Sequence, residues 1–113
     1  MNKYARRHCR ALVITNPCNI LCYVLRKYAT DFPDENFSCL SRLDQNRSVS
    51  QLASKIGCYK SDIKNVFVWG NHNPTMYPDV FQGTVKGQSI TSVIKQGDWF
   101  TNEFIPLVRK RGS

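Results

Sequence analysis

The chain has 113 residues, 42% of them apolar and 12% aromatic, which suffices for one packed domain or part of one. Its longest apolar run near the start, Ala11 to Ile14, is far shorter than a transmembrane span or signal peptide requires, so no membrane partner is expected and the chain reads as cytoplasmic. The net charge of +8 gathers partly at the ends, in Lys3, Arg6, Arg7 and Arg10 and in Arg109, Lys110 and Arg111, but the aromatics do not alternate with these residues as a stacking surface needs, so a solvated basic face is expected and no nucleic-acid partner.

Lys3 to Arg10 suits a short basic helical turn. Ala11-Leu12-Val13-Ile14 is a continuous β-prone run, which predicts a strand buried on both faces, as in a parallel sheet. Pro17 fits a first helical turn with Asn16 as its cap, and Ile20, Leu21, Val24, Leu25 and Tyr28 then recur at helical spacing. Asp31 to Asn36 is polar, contains Pro33 and reads as a loop, and Phe37 to Leu40 as a short extended piece. From Ser41 to Ile56 the apolar positions Leu43, Val49, Leu52, Ala53 and Ile56 predict an amphipathic helix that Gly57 terminates, with Asp44 and Arg47 on one face.

Ser61 to Asn65 is a turn region leading to Val66-Phe67-Val68-Trp69, a second predicted buried strand. Gly70 to Asp79, with Pro74 and Pro78, predicts an irregular loop carrying His72. Val80 to Ile90 suggests a small hairpin containing Gly83 and Gly87, and Thr91 to Lys95 the start of a helix. Trp99 to Val108 reads as a helix that Pro106 should break or kink. The five cysteines, Cys9, Cys18, Cys22, Cys39 and Cys58, have no CxxC spacing and no nearby His or Cys pair to complete a tetrahedral site, so reduced thiols and no metal are expected.

One group of polar residues suits proton-coupled chemistry. Removing hydride from a secondary alcohol requires a group to take the hydroxyl proton, and an imidazole does so near neutral pH. His72 follows a predicted strand, at the end of a sheet where open α/β folds place ligands. A carboxylate on one ring nitrogen fixes the tautomer and supports the imidazolium, a role open to Asp44 if its helix packs beside that strand. Arg47 can then grip a substrate carboxylate through two parallel hydrogen bonds, and Asn16 can contact the substrate oxygen or the nicotinamide side. Singly, each has a plainer reading: a surface ion pair, a loop histidine, a helix cap.

In this order and spacing, the chain resembles the malate dehydrogenases of the lactate/malate dehydrogenase family, specifically the cytosolic type. The text that carries the resemblance is Asn2-Lys3-Tyr4-Ala5, Asn16-Pro17-Cys18-Asn19, the segment from Glu35 through Leu43-Asp44-Gln45-Asn46-Arg47, Asn65-Val66-Phe67-Val68-Trp69-Gly70-Asn71-His72, Tyr77-Pro78-Asp79-Val80 and Arg111-Gly112. The resemblance implies an α/β fold, incomplete at both ends, in which residues 1–36 are the end of a Rossmann NAD-binding domain and residues 37–113 the start of the α/β catalytic domain.

By the same resemblance, His72 is the proton acceptor, Asp44 its orienting partner, Arg47 the clamp on the substrate carboxylate, and Asn16 a contact to substrate and cofactor, with Ile14 and Thr15 lining the nicotinamide pocket. The implied reaction interconverts malate and oxaloacetate with NAD, or NADP, in a homodimer. The chain departs from the family in having no glycine-rich turn before its first strand, no acidic residue for the ribose, and no mobile loop with two arginines. Thr15 also stands where the family usually has glycine. The resemblance therefore implies a central fragment that is inactive alone, or a non-enzymatic product that associates with full-length subunits. A basic nucleic-acid-binding module is the remaining alternative.

Overall fold

The computed structural model describes residues 1–110, so Arg111-Gly112 lies outside the described residues. The chain divides into two compact units, Met1–Ser41 and Arg42–Ser113.

In the first unit, β1 (Ala11–Val13) pairs in parallel with β2 (Phe37–Cys39), placing Leu12 opposite Ser38, and the Leu40 amide extends the ladder to the Val13 carbonyl at 3.1 Å. Parallel neighbours need a crossover, and α1 (Cys18–Tyr28) lies between the two strands in sequence. The expected basic helical turn before β1 is two isolated turns, closed by the Met1 and Arg6 carbonyls. The expected cap is also corrected. Pro17, in extended conformation, occupies the N-cap position and its carbonyl accepts from the Leu21 amide at 3.0 Å, while no side chain caps the helix. Having no N–H, Pro17 loses nothing by standing just outside the helix.

The expectation of a strand buried on both faces does not hold for β1, where Leu12 is 59% exposed. A two-stranded sheet with a single helix has too little surface to cover both faces, and α1 itself buries none of its residues. Polar contacts tie this unit together: Arg26 to Asp34, Arg7 to Asp31 at 2.8 Å, and the buried Asn36 amide to the Arg7 carbonyl at 3.1 Å.

The second unit is organised by α2 (Leu43–Ile56), which buries Ser48, Leu52 and Ala53. Gly57, at φ +76°, ends the helix in the left-handed conformation, and its amide bonds the Ala53 carbonyl at 2.9 Å. β3 (Ile63–Lys64) pairs with β6 (Thr84–Val85), which pairs in turn with β7 (Gln88–Ser89). The β6–β7 turn is Lys86-Gly87, both at positive φ, the geometry that matches the twist of a tight hairpin. The hairpin is thus smaller than the predicted Val80 to Ile90, because Val80 is drawn into the core and Ile90 begins a helix.

β4 (Phe67–Trp69) and β5 (Tyr77–Asp79) form an antiparallel pair, with Trp69 opposite Tyr77. β4 is not the buried strand that its apolar run suggests, since Trp69 is 57% exposed. The strand alternates instead, with Val68 packed against the core between the exposed Phe67 and Trp69. The predicted irregular loop is shorter too, because Pro78 is accommodated in β5, whose described partner is β4 alone.

The chain closes with α3 (Ile90–Val93), α4 (Gly97–Trp99), a π-helical segment Phe100–Phe104 and α5 (Ile105–Lys110). Pro106 does not break this run. It falls in the first turn of α5, where a missing N–H is tolerated, directly after the widened π turn. Leu52, Ile90, Phe104 and Val108, fully buried, form the centre of the core.

Candidate active site

The first turn of α2 carries Asp44, and the positive end of the helix dipole favours its carboxylate there. Asp44 is only 8% exposed, so its charge requires partners, and each oxygen has one. Oδ1 accepts from Arg47 Nη1 at 2.8 Å, and Oδ2 faces His72 Nδ1 at 2.5 Å. An ionised carboxylate can only accept, so Nδ1 carries the imidazole proton and the ring is held in one tautomer. The Arg47 and His72 side chains remain partly exposed, which leaves the group accessible from solvent.

His72 reaches Asp44 because the β4–β5 pair presents the loop between its strands to the start of α2. Gly70, at φ +88°, turns the chain out of β4. The Asn73 side chain then accepts from the Thr75 amide at 2.8 Å and from its hydroxyl, and the Met76 amide returns to the Asn73 carbonyl at 3.0 Å. Asp79 Oδ2 accepts from the Trp69 indole at 3.0 Å, tying the two strands through their side chains.

Three polar contacts near this group were not foreseen. Gln45 Nε2 donates to the Val66 carbonyl at 3.1 Å, Arg109 Nε to the Met76 carbonyl at 2.6 Å, and the buried Ser48 hydroxyl to the Asp44 carbonyl at 2.8 Å. Gln45 adjoins Asp44 in the sequence, a weak local signal. Arg109 stands 33 residues from Met76 within a basic stretch, and nothing local distinguishes it.

Of the other predicted site residues, Ile14, Thr15 and Asn16 lie in the first unit, in the segment between β1 and α1. In that unit partial burial, reinforced by Cys18 and Cys22, pushes the Cys39 thiol up, which favours the protonated form, and the Cys18 thiol donates to the Leu40 carbonyl at 3.3 Å. Among the described residues no group of three His, Cys, Asp or Glu side chains is placed to hold a metal ion, and no helix is long and apolar enough to cross a membrane. Two clefts of the second unit, one around Lys95 to Glu103 and one between Tyr77, Phe81 and Phe100, are lined by neither Asp44 nor His72.

Fold and site together define an α/β chain whose larger unit carries a histidine oriented by a helix-borne carboxylate and flanked by an arginine. Residues 41–113 match the family model of the lactate/malate dehydrogenase α/β C-terminal domain, and the chain belongs to the lactate/malate dehydrogenase family. It is 45% identical over all its 113 residues to a malate dehydrogenase of Rubrobacter xylanophilus, and spans 34% of that relative's length. Among solved structures, malate dehydrogenase from Naegleria fowleri is 42% identical with a TM-score of 0.74, over 97% of this chain and 34% of that one. Trichomonas vaginalis lactate dehydrogenase in complex with NADH and oxamate is 36% identical with the same TM-score, 0.74, over the same 97% and 34%.

Proposed function

We propose that this chain supplies the acid–base and carboxylate-binding part of an NAD-dependent malate dehydrogenase of the cytosolic type, acting on malate and oxaloacetate in a homodimer. The observation that carries the reading is the 2.5 Å contact of His72 Nδ1 with Asp44 Oδ2. No side chain accepts hydride, so oxidation of an alcohol needs a hydride-accepting cofactor, and NAD supplies that chemistry when bound. Ile14, Thr15 and Asn16 would hold its nicotinamide end. They follow the carboxyl end of a parallel strand, where open α/β sheets bind ligands, and the exposed side chain of Ile14 offers the apolar surface that a flat ring prefers.

Within the chain, the work divides by chemistry. His72 Nδ1 stays bound to Asp44, so Nε2 is the nitrogen that takes the hydroxyl proton, and the adjacent carboxylate stabilises the imidazolium that forms. Arg47 gives Asp44 one of its five N–H donors and binds the substrate carboxylate with others in a planar fork. Residues 1–36 are read as the end of the nucleotide-binding domain and 37–113 as the start of the catalytic domain. A boundary between compact units nearby, after Ser41, supports that division.

Titration of the chain with oxamate, followed by NMR, tests the reading. Oxamate is expected to shift the His72 ring and Arg47 guanidinium resonances, to leave His8 in the first unit unmoved, and to lose its effect in Arg47→Gln. Equal shifts at His8 and His72, or none at either, would overturn it.

A second reading, association with full-length subunits, is favoured by the exposed apolar residues Ile20, Leu21 and Val24 on α1. Co-purification with an intact dehydrogenase supports it, and a monodisperse monomer in its presence counts against it.

A further inference from the structure

The contact of Asp44 with His72 joins residues 28 positions apart, from a helix and from the loop of a hairpin. A carboxylate–imidazole hydrogen bond is sensitive to a few tenths of an ångström, and a surface loop left to itself samples much more than that. Apolar packing holds the hairpin at both ends, through Val66 at its base and Met76 at the loop, both buried. Two directional bonds add to that packing. Gln45, next to Asp44 on α2, donates to the Val66 carbonyl immediately before β4. Arg109, on α5, donates to the Met76 carbonyl immediately before β5. The loop that carries His72 is therefore held on both of its strands, and the entry strand is pinned by the residue adjoining the carboxylate that His72 must meet.

We propose that Gln45 and Arg109 are positioning residues, a two-point clamp that sets the Asp44–His72 hydrogen bond by fixing the two strands flanking the His72 loop to α2 and α5. The assignment rests on the reading of Asp44 and His72 as an acid–base pair. The two halves differ in chemistry. Gln45 makes a neutral amide-to-carbonyl bond, whereas Arg109 makes a shorter, charge-assisted one that fixes the loop at its exit, directly after the turn closed on Asn73. Neither side chain touches the reacting atoms, so the clamp acts only through the position and order of His72.

The test is the exchange of the His72 Nδ1 proton with water, read by NMR on the whole chain, because a merely structural role leaves that proton as protected as before. Gln45→Met keeps the side-chain length, Arg109→Met keeps the chain as far as the Nε position, and both remove the donors. Each is expected to speed the exchange about fivefold, the factor that corresponds to losing one ordinary hydrogen bond, with the tryptophan fluorescence of the second unit unchanged. Arg109→Lys, which keeps the cation but not the planar fork, is expected to restore part of the protection and serves if Arg109→Met does not fold. Asp44→Asn is the control for the underlying reading. If it leaves the Nδ1 proton unchanged, the acid–base pair itself is wrong. If it exposes that proton while Gln45→Met and both Arg109 variants exchange at the parent rate, the pair stands and the clamp is overturned.

Discussion

The two units solve the problem of holding a strand and a helix together in opposite ways. The second encloses a core in which Phe104, Leu52, Ile90 and Val108 are fully buried, and its polar groups are set on that platform. In the first, Ala29 and Phe32 are the only apolar residues buried among the described residues, α1 buries none, and cohesion comes from the parallel β1–β2 ladder and from ion pairs at the surface. Exposed ion pairs contribute little, whereas buried apolar surface is the main source of stability. The Asp44–His72 contact belongs to the unit with the apolar core.

The contrast is broken most directly at Phe104, whose ring stacks at 5.4 Å from that of Trp99. Phe104→Ala is expected to cost about 3–5 kcal/mol, read from denaturant unfolding by tryptophan fluorescence. Both tryptophans, Trp69 and Trp99, lie in the second unit, so the signal reports that unit alone. Gly83→Ala comes next. A Cβ there would stand 2.6 Å from Ile90 Cδ1 and 2.8 Å from the Val80 carbonyl oxygen, and the same measurement should show a loss of about 1–3 kcal/mol.

In the first unit, the exposed Val24 on α1 predicts the reverse. Val24→Ala should change stability by no more than about 0.5 kcal/mol, followed by circular dichroism of the whole chain. A loss as large as that of Phe104→Ala would erase the distinction between the units.

The smallest effect concerns Asp34, whose carboxyl is held below its ordinary value of 3.8 by the hydrogen bond from Arg26. A carboxyl with a lowered folded pKa binds its proton more readily when unfolded, so the pair contributes above pH 3.8 and its contribution fades as the pH falls further. Asp34 is exposed, so the change should be small. NMR titration of its side chain should place its midpoint below that of the same carboxyl in Arg26→Gln.

Local chemistry made much of this legible in the sequence. Three-residue spacing puts Asp44 and Arg47 on one helix face, Gly57 stops that helix through its tolerance of positive φ, and helical periodicity marks α1 and α2. Burial was less legible, since apolar runs look alike whether a strand has two neighbours or one, and both β1 and β4 proved half-exposed. The accommodation of Pro106 behind a π turn and of Pro78 in a strand likewise depended on what lies around them.

The sequence by itself determined the helical periodicities, the glycine stop of α2, the residue types of the candidate site and the family to which the chain is similar, because each depends on residue type and on neighbours a few positions away. Only the tertiary structure decided that His72 meets Asp44 across 28 residues and that Arg109 reaches Met76 across 33. The physical reason is that such distances are set by how α2, α5 and the β4–β5 pair pack on a shared core, and packing is a property of surfaces brought together in space.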